Sequence, residues 1–258
     1  MSRFKQAIVR LPGANFADGL TREDLGKPSI DLAKAQHAAY CQALRDCGVS
    51  VTVLPADPAH PDGTFVEDTA VLLPEGAILT RPGDASRQGE VAAITGALSA
   101  HFPVLDRIKS PGTVDGGDIC EAGRHIFIGI SARTNEHGAR QLDEWLAAKG
   151  YGASVVDVRA LSSILHLKSG MSWLGDGRLL AIDELVSHRA FAGFEIVPVD
   201  TDEGYAANAI RVNDVVLLAS GFPRLQARLE ALGYRCMALA MSEFEKMDGG
   251  LSCLSLRF

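Results

Sequence analysis

The sequence predicts an α/β fold assembled from small supersecondary units. Short β runs alternate with amphipathic helices along the chain, with no low-complexity linker and no long charge run between them. Four helices are each followed by a turn and a β run, in GVSVTVLP, FPVLD, GYGASVVDV and GYRCMALA, and a fifth run, EIVPV, follows a weaker helical stretch near 183–192. These β runs begin near Val51, Val104, Val155, Ile196 and Cys236, roughly 40–53 residues apart, a spacing typical of stacked or circular repeats. Each repeat reads strand, strand, helix, strand. Periodicity alone leaves an ordinary α/β alternation of accidental regularity open. A chain of 258 residues, 47% apolar and 22% charged, buries about 70–75% of its unfolded surface and needs no staples to make a core. Five units with no spare residues favour one closed domain over 1–258.

Each element has a local reason. The first helix, 30–47, has Ser29 as N-cap and Gly48 as its stop, with Leu32, Ala35, Ala39, Ala43, Leu44 and Cys47 at helical spacing. The β run 51–55 follows, then AVLL (70–73) and AILT (77–80). Helix 87–102 places Val91, Ile94, Leu98 and Phe102 on one face and ends at Pro103. HIFIG (125–129) precedes helix 136–149, which starts after Asn135, turns Ala139, Leu142 and Leu146 inward and stops at Gly150. SVVDV (154–158), RLLAI (178–182), EIVPV (195–199), NAIRV (208–212) and VVLLA (215–219) read as strands. Pro223 at the first position and Gly233 after the end bound the helix 223–232. Leu254, Leu256 and Phe258 alternate like a half-buried final strand.

Composition narrows the function. Lys and Arg total 25 against 32 Asp and Glu, a net charge of −7, which argues against a phosphate-tracking nucleic-acid surface but not against a small cationic substrate. Five cysteines, an odd number with no Cys-x-x-Cys pair, argue against a disulfide framework and suit a reducing compartment. The start, MSRFKQAIVRLPG, lacks a signal-peptide core, and no stretch of about 18 apolar residues occurs, so the chain reads as soluble and cytoplasmic. Phosphate-loop, dinucleotide, Gly-x-Ser-x-Gly and His-Glu-x-x-His patterns are absent, so neither a metal nor an organic cofactor is expected.

Several segments carry chemistry. In MDGGLSCLSLRF, Gly249 and Gly250 let the chain turn sharply before Cys253, presenting a thiol to a pocket; the alternative is a packed small residue. Cys41, Cys47, Cys120 and Cys236 sit in apolar patterns and read as core. A nucleophilic thiol needs a proton carrier. His166, in ILHLKSG, lies in an apolar β-like run that could hold its ring rigidly, although a lone histidine there is more often structural. Asp115 and Asp118 flank two glycines in TVDGGDIC, either as turn caps or as a carboxylate beside a histidine or cation. Asp62, Glu67 and Asp68 cluster in HPDGTFVEDTA, as a solvated loop or a cation-binding mouth. Arg81, Arg87 and Arg133 stand in turns before helices, placed to grip a carboxylate or simply to face solvent.

Taken in order, DGLTREDLGKP, PDGTFVEDTA, TRPGDASRQGE, TVDGGDI, SARTNEHGARQ, LHLKSG, YAANAI and DGGLSCLSLRF resemble the dimethylargininase branch of the guanidino-group-modifying enzymes across essentially the whole chain. The resemblance implies a pentein, an α/β propeller of five ββαβ-type units around a pseudo-fivefold axis with the site in the central channel. It implies hydrolysis of methylated arginine to citrulline and an alkylamine, with no cofactor, no nucleic-acid or membrane partner, and a homodimer as the family's oligomeric precedent. It matches Cys253 to the nucleophile, His166 to the general acid/base and Asp115 to the carboxylate behind it, a position where relatives carry Glu or Asp. Asp68 with Glu67 matches the acids that hold the guanidinium. Arg87 and Arg133 match the carboxylate clamp, and Asp62 with the carbonyls of Leu20 and Met247 the α-amino pocket. Arginine-deiminase-like relatives carry an aspartate two residues after the histidine, where Lys168 stands here, and an inserted helical domain that this chain lacks. Many relatives carry Cys where Ala209 stands. Segment 14–28 is the candidate lid. A deiminase of another guanidine and a non-catalytic binding pentein are the competing readings, and the intact set of Cys253, His166, Asp115 and substrate acids speaks against the second.

Overall fold

The computed structural model describes residues 3–258. The chain runs β1 (Gln6–Arg10), α1 (Ile30–Asp46) and β2 (Ser50–Leu54), then β3 (Ala70–Leu73), β4 (Gly76–Leu79), α2 (Glu90–Ser99) and β5 (Leu105–Arg107). It continues through β6 (Ile119–Ala122), β7 (His125–Ile130), α3 (Glu136–Ala147) and β8 (Gly152–Asp157). Next come α4 (Leu167–Gly170), β9 (Met171–Gly175), β10 (Arg178–Ile182), β11 (Glu195–Val199), β12 (Ile210–Val212) and β13 (Val215–Ala219). It ends with α5 (Pro223–Ala231), β14 (Arg235–Leu239), α6 (Ser242–Glu245) and β15 (Leu256–Arg257).

These strands form five three-stranded sheets with one plan. In each, an antiparallel pair is followed by a third strand parallel to the middle one, as in β3-β4-β5 and β6-β7-β8. The first sheet draws its inner strand from the far end of the chain. β15 pairs antiparallel with β1, Ala7 opposite Arg257 and Ile8 opposite Leu256, so the C-terminal strand completes the first unit and closes the ring. Inner strands of neighbouring units pack side by side, β15 with β3, β6 with β9 and β9 with β12. The five-unit pentein arrangement is the one observed, and the β runs near Val51, Val104, Val155, Ile196 and Cys236 are the outer parallel strand of each unit.

Parallel neighbours need a crossover, usually a helix. α1, α2, α3 and α5 supply it in four units. The stretch 183–192, expected as a weak helix, instead forms turns and a short 3-10 segment, Arg189–Phe191. Its two most buried apolar residues, Leu185 and Phe191, are six apart, a spacing that puts no stripe on a helix. The middle strands β1, β4, β7, β10 and β13 are almost wholly buried and read as continuous apolar runs, because helix and sheet cover both faces. α2 is shorter than the expected 87–102 but keeps the expected face: Val91, Ile94 and Leu98, with Phe102 beyond its end, pack on Leu79 and Ala77. Leu98→Ala is expected to cost about 2–5 kcal/mol. α1 departs from it. Leu32, Ala35 and Ala39 face solvent, while Ala33, Gln36, His37, Tyr40, Cys41, Ala43 and Leu44 are buried. Among the described residues no helix is long and apolar enough to cross a membrane.

One regularity of the plan matters for function. Before each inner strand the chain makes a short helical turn: Val66–Thr69 before β3, Gly116–Asp118 before β6, Leu167–Gly170 before β9, Thr201–Ala207 before β12 and Ser252–Leu254 before β15. Asp68, Asp115, His166 and Cys253 lie in or beside four of these five turns.

Candidate active site

Those entry turns bring the chemical residues together. Cys253 sits in the last turn, where its N–H donates to Gly250 O at 3.2 Å and its Sγ accepts from Gly250 N at 3.4 Å. A side chain at Gly250 would collide with Asn208, its Cβ 2.5 Å from Asn208 Cγ, so only glycine lets the segment fold back here. Asn208 in turn accepts from Ser252 N at 2.9 Å and donates to Ser252 Oγ at 3.1 Å and to Lys168 O at 2.9 Å. It therefore ties the cysteine segment to the histidine segment.

His166 does not lie in a strand, as its apolar neighbours suggested. It caps the short helix α4, with its N–H donating to Ser169 Oγ at 3.3 Å. Its Nε2 is 3.1 Å from Oδ2 of the fully buried Asp115, whose Oδ1 accepts from Gly83 N at 2.8 Å. Asp68 accepts from Gly117 N at 2.8 Å and from Arg87 Nη1 at 2.6 Å. Gly117 is needed for this approach, since a Cβ there would lie 2.6 Å from His166 Nδ1.

A pocket of about 120 Å3 opens beside these groups. Cys253, His166, Asp68 and Arg87 line it, together with Leu20, Asp62, Arg133 and Met247. Leu20 N donates to both oxygens of Asp62 at 3.2 Å. Thr21 and Arg22 of the candidate lid also line the pocket, and that segment is held by Arg22 N to Asp248 Oδ2 (2.7 Å) and Arg22 Nη1 to Ile164 O (2.9 Å).

The electrostatics are set by burial and by carboxylates. Burial pushes the Cys253 thiol up, and Glu67 and Asp68 push it further, to about 12. Burial pulls His166 down, but Asp68, Asp118 and the hydrogen bond to Asp115 outweigh it and raise the imidazole to about 9. Burial works against the charged form of Asp68 as well, yet Arg87 and His166 hold this carboxyl below its ordinary range. These shifts favour a neutral thiol and a protonated imidazole in the same pocket at neutral pH. Asp68, Asp115 and His166 each offer one ligand atom within 4.8 Å of one another. Arg87 and His166 already engage these carboxylates, so the set suits holding and moving a proton better than holding a metal ion.

Comparison with known proteins places this geometry. A family profile described as N,N dimethylarginine dimethylhydrolase, eukaryotic, matches residues 24–191. The N(G),N(G)-dimethylarginine dimethylaminohydrolase of Pseudomonas aeruginosa is 45% identical over 99% of this chain and 100% of its own length. The chain belongs to the dimethylarginine dimethylaminohydrolase family. The Streptomyces coelicolor protein of the same name is 36% identical over 98% of this chain and 96% of its own. A solved structure of a mutant of the P. aeruginosa dimethylarginine dimethylaminohydrolase, complexed with citrulline, superposes with a TM-score of 0.96 at 44% identity, covering 100% of both chains.

Two of the residues expected in the site sit differently from that expectation. Glu67, expected beside Asp68 on the guanidinium, lines a separate cavity of about 440 Å3. There it accepts from Lys168 Nζ at 2.6 Å and Ser252 Oγ at 2.8 Å, with Arg257 at 3.6 Å. Consecutive residues of a 3-10 turn point about a third of a turn apart, so Glu67 and Asp68 cannot both face one pocket. Arg87, expected in the carboxylate clamp, spends most of its donors inside the protein. It bonds Asp68, both oxygens of Glu90 (2.9 and 2.8 Å) and Phe65 O (3.1 Å). Lys168 also points to the larger cavity. Sequence reading missed Glu90, Asn208 and Ser252 in this site; their signal was position before an inner strand or beside a known arginine, which only the repeat register reveals.

Proposed function

We propose that this chain hydrolyses N-omega-methylated arginines, asymmetric dimethylarginine and monomethylarginine, to citrulline and dimethylamine or methylamine. The observation that carries the reading is one pocket lined by a cysteine, an aspartate-backed histidine and a buried aspartate, with Asp62 and Arg133 beside them. Family membership and the citrulline-bound relative support it. Asp68 would face the guanidinium, Arg133 the α-carboxylate, and Asp62 with the Leu20 and Met247 backbones the α-amino group.

A guanidinium carbon is a poor electrophile, because its charge is spread over three nitrogens. Fixed carboxylates orient the cation, and the cation in turn offsets the field of Glu67 and Asp68 on the thiol. The Cys253 proton leaves to solvent as substrate docks, and Sγ forms a bond to the guanidinium carbon. The C–N bond to the methylated nitrogen then breaks as the His166 imidazolium gives that nitrogen its proton. Water adds to the S-alkylthiouronium, His166 takes up a proton, and collapse releases citrulline and the thiol. No redox change occurs. The reading takes 1–258 as one catalytic unit, supported by the pairing of β15 with β1, and a reducing cytoplasm, supported by five free cysteines.

Incubation with asymmetric dimethylarginine, monomethylarginine and arginine, with identification of citrulline and the amine, tests it. Dimethylamine and methylamine in step with citrulline are expected. Ammonia from arginine as the main product would show a deiminase, and absence of citrulline from all three would favour a binding role.

A further inference from the structure

Asp118 is the third carboxylate around the histidine, and the reaction just described gives it no task. It is fully buried, three residues after Asp115 in the same turn, with its N–H donating to Asp115 O at 3.0 Å. Oδ1 of Asp118 accepts from Leu167 N at 2.9 Å, the residue directly after His166. One turn therefore grips the histidine twice, Asp115 by the ring and Asp118 by the backbone. Oδ2 accepts from Ser131 Oγ at 2.6 Å. The same Ser131 oxygen accepts from Arg133 N (3.0 Å) and Thr134 N (3.2 Å), and Thr134 Oγ1 accepts from Asp115 N (3.1 Å). Through Asp118, the backbone that carries Arg133 and the backbone that carries His166 are joined by two hydrogen bonds. Gly129 makes room, since a Cβ there would lie 2.8 Å from both Asp118 Oδ1 and Leu167 Cβ.

We propose that Asp118 is a positioning residue that fixes the His166 segment against the Arg133 loop and so holds the imidazole in place on Asp115. Burial pushes the Asp118 carboxyl up, and the neighbouring His166 together with the bonds from Ser131 Oγ and Leu167 N works against that rise. The other charged groups facing the ring are Asp115 and Asp68, with Arg87 behind Asp68; Cys253, Asp62 and Arg133 line the same pocket. Asp118, like Asp115 and unlike Asp68, stands outside the pocket lining, so its effect on the ring does not involve contact with substrate.

The test is Asp118→Asn, which keeps the shape and the bond from Leu167 N and removes the charge. Carbon-13-labelled histidine gives one titrating signal per ring, and the His166 signal is the one missing in His166→Gln. This inference uses the proposed role of His166, but the titration needs no turnover, so its failure is distinct from failure of the hydrolase reading. In Asp118→Asn the His166 midpoint is expected to fall by roughly one unit, with the high-pH limb of kcat moving by the same amount and KM within about twofold. Asp118→Ala, which also frees Leu167 N, is expected to lower kcat by roughly ten- to a hundredfold. An unchanged His166 midpoint in Asp118→Asn overturns the proposal. Should that variant not fold, Ser131→Ala takes its place. Loss of its bond to Asp118 should lower kcat, with Ser131→Thr restoring it, and an unmoved kcat in Ser131→Ala would overturn the proposal equally.

Discussion

Arg87 Nη1 lies 2.6 Å from Asp68 Oδ2, and both side chains are withdrawn from water, 6% and 3% exposed. Glu90 takes the other edge of the same guanidinium. Arg87 thereby holds a buried aspartate charged and aimed at the pocket. Removing it would strand two carboxylates in the interior. Arg87→Ala is expected to lower stability by about 3–5 kcal/mol, read as a shifted urea midpoint and a lower Tm. Were Arg87 chiefly a carboxylate clamp, the same variant would raise KM and leave stability near that of the unchanged chain.

Arg133 has the opposite character. It lines the pocket, and its nearest acid, Asp84, stands 3.9 Å away, too far for a hydrogen bond. Its donors are open to a substrate carboxylate. Arg133→Ala should raise KM for methylarginine by roughly ten- to a hundredfold with kcat within a few-fold, since a hydrogen bond to a charged group contributes about 1.5–3 kcal/mol. The backbone bond of residue 133 to Ser131 survives the change, so stability should move little. An unchanged KM would remove Arg133 from the clamp.

The repeat was readable because the outer parallel strands follow helices at regular spacing, and their starts near Val51, Val104, Val155, Ile196 and Cys236 mark one position in five units. The inner strands were harder. β6 reads ICEA and β9 MSWLG, too short and mixed for a period to emerge, because they line a channel rather than a uniform core. α1 misled because its alanines are indifferent to burial. Its polar Gln36 turns inward to meet α6, donating to Ser242 Oγ and accepting from Glu243 N. In the site, residue type pointed to Cys253 and His166 and left Asp115 and Asp118 undivided, and only the resemblance chose Asp115. Residue type could not say which of two adjacent acids, Glu67 or Asp68, faces the pocket, since that depends on the phase of a single 3-10 turn. The roles of Asp118 and Asn208 rest on hydrogen bonds between segments about 50 and 40 residues apart, beyond any local pattern.

Cys253 carries the reaction in the proposed mechanism, and its resting thiol is neutral because burial, Glu67 and Asp68 all disfavour the thiolate. Cys253→Ser should abolish turnover, leave the circular-dichroism spectrum and Tm close to those of the unchanged chain, and still bind substrate. The titration gives a second observable. Alkylation of Cys253 by iodoacetamide should be slow at pH 7 without substrate and climb with pH to beyond pH 10, since only the thiolate attacks. A plateau reached below pH 8 would show a thiolate already present in the resting protein, and would remove the need for the substrate's charge to form it.

His166 links the site to the stability of the whole fold. Its imidazole is raised to about 9 in the folded protein, against 6.5 for a free histidine, because the surrounding carboxylates outweigh burial. The proton is bound more tightly by the folded state, so this contribution is complete below about pH 6.5 and is lost as pH rises through 9. It amounts to at most on the order of 3 kcal/mol. Other groups titrate in the same window, including the Cys253 thiol, which ionises more readily once the chain unfolds. The informative quantity is therefore a difference between two chains. Urea unfolding of the unchanged protein and of His166→Gln should show a gap in stability near pH 6 that narrows steadily up to pH 9.5. A gap that stays constant over that range would mean the histidine is not held protonated by Asp68, Asp115 and Asp118, and the amine would then have to draw its proton from another group.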